Sequence, residues 1–300
     1  MRKRIAVATA PATVANLGPG FDVLGLALKG SSDQVRARWN GGKTVQIDSI
    51  TGDGGLLSAD PKKNVVGIVA RALLQAQGVK RGVTLSIKKG IPIASGLGGS
   101  AASAVAAAKA VNKLLGSPYN SVELLPFALK GEAAASGGAH LDNVLPCLLE
   151  KPVLILSLQP LCYRVIRLPK DFCCVVVHPD LQIETKMARK LLPKKFPMEI
   201  VLKQSSNLAG MLEGLEKENW KQVEICCIDL IAEPVRKKLI PGFVKVKAAA
   251  LQNGAFGCSI SGSGPAVFAM CVRKDAKKIG RAMQKAFAKT GLKSTVYGLI

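Results

Sequence analysis

One stretch constrains the fold of this 300-residue chain more than any other: Gly90 to Asn112, GIPIASGLGGSAASAVAAAKAVN, where a glycine and serine loop runs straight into an alanine-rich segment. Gly96, Gly98 and Gly99 let the backbone take positive φ and leave successive N–H groups free to converge on an anion. A helix is expected to begin near Ser100, and its first N–H groups carry the positive end of its dipole. Loop and helix start together suit a polyphosphate. Ser100 and Ser103 add hydroxyls for a phosphate oxygen or a magnesium ion.

Other readings of the stretch compete with this one. Ala101 to Ala110 can be only a core helix whose small residues permit close packing. Ile91 to Ala108 is uncharged and long enough for a membrane span, but Gly, Ser and Ala are weakly apolar and Pro92 lies inside it. Gly96-x-Gly98-x-x-Ala101 also fits the loose dinucleotide fingerprint, which needs a second strand after its helix; Ser121 to Ala135 reads as another helix instead. A P-loop requires Gly-Lys-Ser/Thr, and no lysine follows Gly99. The stretch therefore reads as a phosphate loop of another type.

A net charge of +22, from 42 Lys and Arg against 20 Asp and Glu, calls for anionic partners. The basic residues come as scattered pairs, such as Lys88-Lys89 and Lys237-Lys238, and aromatics at 4% do not interleave with them, so no nucleic acid is expected. An apolar content of 48% suits a compact α/β protein. The eight cysteines show no Cys-x-x-Cys spacing and sit mostly in apolar runs, which reads as reduced core residues in a cytoplasmic protein. Arg2, Lys3 and Arg4 open the chain without a following apolar leader, and no membrane partner is expected. Two histidines leave little material for a zinc site or a Ser-His-Asp hydrolase.

Along the chain, Ile5–Ala8 reads as a strand, Val23–Leu28 as an apolar run, and residues 34–50 as two short strands with Asn40-Gly41-Gly42 as a hairpin turn. Asp60-Pro61 opens a helix with Asn64 in its first turn, and Val83–Lys88 is a strand leading into the loop. Val122–Ala135 is a helix bearing Glu132, followed by a polar loop, His140-Leu141-Asp142-Asn143. Strands are expected at Val153–Leu156, Val165–Ile166 and Phe172–His178, with a domain boundary near Pro160 that gives domains 1–160 and 161–300. The second domain continues with a strand over Lys186–Leu192, helices over Asn207–Glu216 and Trp220–Leu230, and a strand over Val244–Gln252. It closes with two strands joined by Gly262-Ser263-Gly264-Pro265, a helix from Ala276 and a strand over Ser294–Tyr297. Asn16 and Asp22, flanking Gly18-Pro19-Gly20, can be simple turn caps, and His140 can be a satisfied structural residue.

Three blocks, PATVANLGPGFDVLGLAL, GIPIASGLGGSAAS and CSISGSGP, resemble the three signature motifs of the GHMP small-molecule kinases. NVVGIVARAL, GAHLDNVLP, ETKMARKLLP and AEPVRKKLIPG are similar to members acting on homoserine, so the resemblance covers nearly the whole chain. It implies an N-terminal domain with a left-handed βαβ crossover and a C-terminal domain of ferredoxin-like layout. The implied reaction is transfer of the ATP γ-phosphoryl group to the hydroxyl of L-homoserine by a homodimer. ATP would lie on Asn64, Pro92, Ile93, Ala94, Ser95, Gly96, Leu97, Gly98, Gly99, Ser100, Ala101 and Ser103, with Mg2+ held by Ser100 and Glu132. Asn16, Asp22, His140, Asn143, Arg189 and Arg236 would surround homoserine, the two arginines taking its carboxylate; Glu132, Ser100, Asn143 and Arg189 would be the catalytic set. At Glu150-Lys151 the family commonly has a glycine pair, and a differently shaped turn is expected. Another small-alcohol kinase of the family, or a basic RNA-binding protein, stays open as an alternative.

Overall fold

The computed structural model describes residues 5–297; the basic start Arg2, Lys3 and Arg4 lies outside the described residues. Two compact units are formed. One takes the chain up to Thr13 with Ser31–Ile93 and Gly98–Lys151; the other takes Val14–Gly30, Ala94–Leu97 and everything from Pro152 onward.

The first unit contains most of β1 (Ile5–Ala15), the later part of β2 (Leu24–Trp39), β3 (Gln46–Thr51), α1 (Val65–Ala76), β4 (Val83–Lys88), α2 (Gly99–Leu115), α3 (Leu125–Ser136) and α4 (Leu141–Leu149). Residues 24–39 form one long strand in place of two pieces, and Gly30 at φ 93° bends it without ending it. The Asn40 turn is not a hairpin. β4 lies between β2 and β3, antiparallel to the first and parallel to the second, so β3, α1 and β4 make a βαβ unit. Asn40 instead donates through its side chain to the Thr44 carbonyl and the Thr84 hydroxyl, both at 3.2 Å, steering the chain past the β4 edge.

α2 is buried on nearly every side, from Ala101 through Ala108 and again at Ala110, Val111 and Leu114. Its alanines let α1, α3 and α4 all pack against it, as the reading of a small-residue core helix expects. The helix expected over 122–135 is a 3-10 turn, Val122–Leu124, followed by α3. The expected loop at 140–143 is the start of α4, with His140 as its N-cap. Pro146 inside this helix removes one backbone hydrogen bond and reads as a breaker, yet burial of Leu141, Val144, Leu145, Cys147 and Leu148 outweighs it. Glu150 ends the helix at φ 57°, a left-handed conformation that glycine would take without strain, and its carboxylate meets Lys109 at 2.7 Å.

The second unit holds β5 (Val153–Leu158), β6 (Leu161–Val165), β7 (Phe172–Pro179), α5 (Thr185–Lys190), α6 (Met198–Glu216), α7 (Trp220–Cys226), α8 (Glu233–Arg236), α9 (Phe243–Gln252), β8 (Gly257–Ile260), β9 (Val267–Val272), α10 (Ala276–Ala288) and β10 (Ser294–Tyr297). The sheet order β10-β7-β9-β8, with every neighbour antiparallel and α9 and α10 in the two crossovers, is the ferredoxin-like layout. Its core joins Val175 and Val177 of β7 to Phe243, Val246 and Ala250 of α9 and to Ile279, Met283 and Phe287 of α10.

Two expected strands here are helices. The alternation Val244-Lys245-Val246-Lys247 imitates a strand, but Phe243, Val246 and Ala250 are the buried residues, at helical spacing, and Val244 is 66% exposed. Residues 185–190 make a helix too short to show a period, with only Ala188 buried. α6 begins well before the expected Asn207, and α7 ends at Cys226 instead of near Leu230.

Candidate active site

The phosphate loop divides between the units: Ala94–Leu97 belongs to the second and Gly98 onward to the first. Ala94, Gly96 and Gly98 have φ of 53°, 77° and 65°, an alternation of left-handed residues that turns the chain sharply into α2. Within the second unit, the Ser261 hydroxyl donates to the Gly96 carbonyl at 2.7 Å and Ala266 N–H to the Ser95 carbonyl at 3.0 Å. The Gly262-Ser263-Gly264-Pro265 turn thus has a job beyond joining β8 to β9. Within the first unit, a Cβ on Gly98 would lie 2.0 Å from Thr13 Oγ1 and 2.8 Å from Asn143 Oδ1. Only glycine fits there. Gly98 caps α2 with no side chain of its own, so the helix start is left with backbone N–H groups that no side chain caps, an arrangement suited to an anion.

Beside that helix, Glu132 sits 3% exposed in the last turn of α3, with Oε1 3.2 Å from His140 Nδ1. Its other oxygen, Oε2, is buried and has no hydrogen-bond partner among the described residues. Asn143 Oδ1 accepts from the Thr13 hydroxyl at 2.7 Å, and its Nδ2 lies 3.4 Å from Asp142 Oδ1. Asn64 is the N-cap of α1: Oδ1 accepts from Val66 N–H at 2.9 Å and Nδ2 donates to the Ser58 carbonyl at 2.8 Å. Ser103 is buried, donating to Asp33 Oδ2 at 2.7 Å and accepting from Lys89. Ser100 is half-buried in the first turn of α2.

A second cluster lies in the second unit. Asn16, Leu17 and Asp22 take positive φ around the Gly-Pro-Gly turn, held because Asn16 Oδ1 accepts from Asp22 N–H at 3.1 Å and Asn16 Nδ2 donates to the Gly262 carbonyl at 3.2 Å. These bonds match the turn-cap reading of Asn16. Arg189 donates to both oxygens of Asp22, at 3.2 and 2.5 Å. Arg236, 3% exposed, donates to the Gly262 carbonyl at 2.7 Å. The two guanidinium carbons stand 5.8 and 5.3 Å from the centre of the Phe21 ring, which gathers both arginines. They sit in the last turns of α5 and α8.

Several supporting residues escape a reading of the sequence. Thr13 and Phe21 lie inside the block PATVANLGPGFDVLGLAL without standing out from it, and Lys89 carries no local signature of function. Gln204 is another: it donates to the Pro19 carbonyl at 2.8 Å and accepts from Leu230 N–H at 2.8 Å, tying the Gly-Pro-Gly turn to the segment that leads into α8. The one available signal was Asp33, a charged residue at an inward position of the alternation Asp33, Val35, Ala37.

None of the eight cysteines is in a disulfide, and all are buried except exposed Cys162 and half-buried Cys226. Burial pushes the thiol of Cys227 up to about 12 and raises those of Cys147 and Cys258 as well, which disfavours the reactive thiolate at each. Among the described residues no His, Cys, Asp and Glu cluster could hold a metal by itself. None of the described helices is long and apolar enough to cross a membrane.

Comparison with known proteins agrees with this geometry. Residues 64–151 match the GHMP kinases N terminal domain, and residues 211–289 match the GHMP kinases C terminal domain. A homoserine kinase of Chlorobaculum tepidum is 43% identical over 93% of this chain and 89% of its own, and one of Pyrococcus furiosus is 39% identical over 95% and 94%. A crystal structure of homoserine kinase from Cytophaga hutchinsonii superposes with a TM-score of 0.95 at 43% identity, covering 99% of this chain and 95% of that one. The RNA-binding alternative finds no support in these matches. With both family domains matched in order and this identity sustained from end to end, the chain belongs to the homoserine kinases of the GHMP family.

Proposed function

We propose that this phosphotransferase moves the γ-phosphoryl group of ATP to the side-chain hydroxyl of L-homoserine, giving O-phospho-L-homoserine on the route to threonine. The observation that carries the acceptor is the grouping of Asp22, Arg189 and Arg236 about Phe21. One carboxylate and two guanidinium groups complement the ammonium and carboxylate of an α-amino acid. Asn16 supports this by fixing the Asp22 backbone. We assign His140 and Asn143 to the acceptor as well, and Asn64 to the adenine or ribose.

The polyphosphate is assigned to Pro92 through Ala101, where alternating left-handed residues and the bare start of α2 supply N–H donors. The unpartnered, buried Glu132 Oε2 fits a divalent cation, and the Ser100 hydroxyl is the second ligand we propose. When bound, magnesium neutralises charge on the phosphate oxygens. Few protein ligands are needed when phosphate supplies the rest, which suits a site without an acidic cluster. Positioning and charge stabilisation carry the reaction, because Asn143, an amide, cannot accept the hydroxyl proton at neutral pH. As the homoserine oxygen bonds to the γ-phosphorus and the bond to ADP breaks, the hydroxyl proton passes to a γ-phosphate oxygen in substrate-assisted transfer, or to water in direct transfer. A cytoplasmic homodimer completes the proposal, and cysteines outside disulfides suit a reducing compartment.

A coupled ATP-consumption assay over homoserine, mevalonate, shikimate and galactose tests the reading. Homoserine should be turned over with the highest kcat/KM. Preference for any of the other alcohols would overturn the acceptor assignment while leaving the kinase assignment standing.

A further inference from the structure

Beneath the start of α2, Lys89 and Asp33 form an ion pair whose side chains are 3% and 0% exposed. Every hydrogen-bonding position of this pair is filled. Lys89 Nζ donates to Asp33 Oδ2, to the Gly99 carbonyl at 2.9 Å and to Ser103 Oγ at 2.9 Å. Asp33 Oδ1 accepts from Gly90 N–H at 3.0 Å and Ile91 N–H at 3.2 Å, while Oδ2 also accepts from the Ser103 hydroxyl at 2.7 Å. The backbone groups involved are the first two amides of the phosphate loop and the first carbonyl of its helix.

Stability alone does not account for such a network. Two charges withdrawn from water are costly, and a well-packed apolar pair of similar volume is often as stable or more so. A cation at a helix start also opposes the dipole there, an effect that Asp33 cancels. What an apolar pair could not do is set the strand exit at Gly90 and Ile91 against the helix entry at Gly99 through directional bonds. We propose that Asp33, Lys89 and Ser103 form a buried positioning unit that fixes both ends of the phosphate loop. In this role Ser103, expected from the sequence to contact nucleotide, acts through the loop. The inference rests on the reading of this loop as the ATP site.

The test is the paired replacement Asp33→Asn with Lys89→Met, which removes both charges at nearly the original volumes, keeps an acceptor for the Gly90 and Ile91 amides and cuts the link to the Gly99 carbonyl. Melting should stay close to wild type, while KM for ATP rises roughly ten- to a hundredfold, the scale expected of a misplaced binding group, and KM for homoserine barely moves. Hydrogen exchange of the ligand-free 90–103 segment should quicken. An unchanged KM for ATP together with unchanged exchange would overturn the proposal. Failure of the wild type to consume ATP would instead sink the kinase reading, and the exchange measurement alone would then decide the positioning role. If the double variant does not fold, Ser103→Ala should raise both KM for ATP and ligand-free exchange, with Ser103→Thr restoring both. A rise in KM for ATP without faster exchange would mean direct contact with nucleotide and refute positioning.

Discussion

Replacing Gly98 by alanine is the sharpest probe of the loop, because the structure names what the new methyl group would meet. At φ 65° the residue is left-handed, which costs a non-glycine residue about 1–2 kcal/mol. The added Cβ would lie 2.0 Å from Thr13 Oγ1, far inside contact distance, and overpacking of this kind costs about 1–3 kcal/mol. Moving the hydroxyl away also breaks its 2.7 Å bond to Asn143, worth about 1 kcal/mol. Together these take about 3–6 kcal/mol from a total stability on the order of 5–15 kcal/mol. The contact with Thr13 says that stability and ATP binding fall together. Urea unfolding of Gly98→Ala, Thr13→Ala and the double variant separates the causes. Removing Thr13 Oγ1 relieves the clash, so the double variant should be more stable than the sum of the singles by about 1–3 kcal/mol. Its KM for ATP should nonetheless remain raised, since the left-handed strain persists. Strictly additive losses would refute crowding by Thr13 as the cause.

Three further outcomes are expected. Glu132→Gln should not lower the melting temperature, since Oε2 has no partner to lose, but should cut turnover and shift the magnesium titration upward, roughly 10–100-fold in metal affinity; full activity would remove Glu132 from the metal site. Arg236→Lys keeps the charge but loses the fork that reaches the Gly262 carbonyl and Phe21, so kcat/KM for homoserine should fall roughly ten- to a hundredfold, for about 1.5–3 kcal/mol, with KM for ATP steady; a matching rise in KM for ATP would reassign the residue. Burial lowers the pKa of His178 from its ordinary 6.5, so as pH falls the unfolded chain takes up the proton first: His178 costs no stability well above pH 6.5, and stability is lost as pH drops through 6.5 towards the depressed folded value. Melts between about pH 8 and 5 should show that decline in the wild type and a shallower one in His178→Gln; identical slopes would discount the histidine.

What could be read from the sequence was whatever is decided locally. The glycine spacing from Gly96 to Gly99 and the alanine run after it state their conformation within a few residues, and β4 alternates cleanly between Val83 and Lys88. Pairing partners were another matter. Nothing near Asn40 shows that β4 will come between β2 and β3, because that order is set by the α1 crossover. α4 and α9 failed for a related reason: Pro146 and the Val-Lys alternation give local signals that burial in the folded unit overrides. The candidate site follows the same division. Residues that meet a ligand in the family's scheme could be named, whereas Thr13 and Phe21, inside a motif block, and Gln204 and Lys89, outside the blocks, hold other residues in place and leave no pattern of their own.

The bond between Arg189 and Asp22 explains how an amino acid could be favoured over a simpler alcohol. Each group already satisfies the other, and with side chains 46% and 35% exposed the pair is only modestly stabilising. A ligand bearing both an ammonium and a carboxylate can replace that single ion pair with two, so neither protein charge is left without a partner. A ligand with only one of the charges must separate the pair and strand the other member, and an unpaired charge at a partly desolvated site carries a penalty of its own. Homoserinol keeps the reacting hydroxyl and the ammonium but has no carboxylate, so it would strand Arg189. Discrimination would then come from the contact a wrong ligand breaks as much as from the one it fails to make, and Phe21, 5.3 Å from the Arg236 guanidinium carbon, would sharpen it by holding that residue beside the carboxylate position we propose.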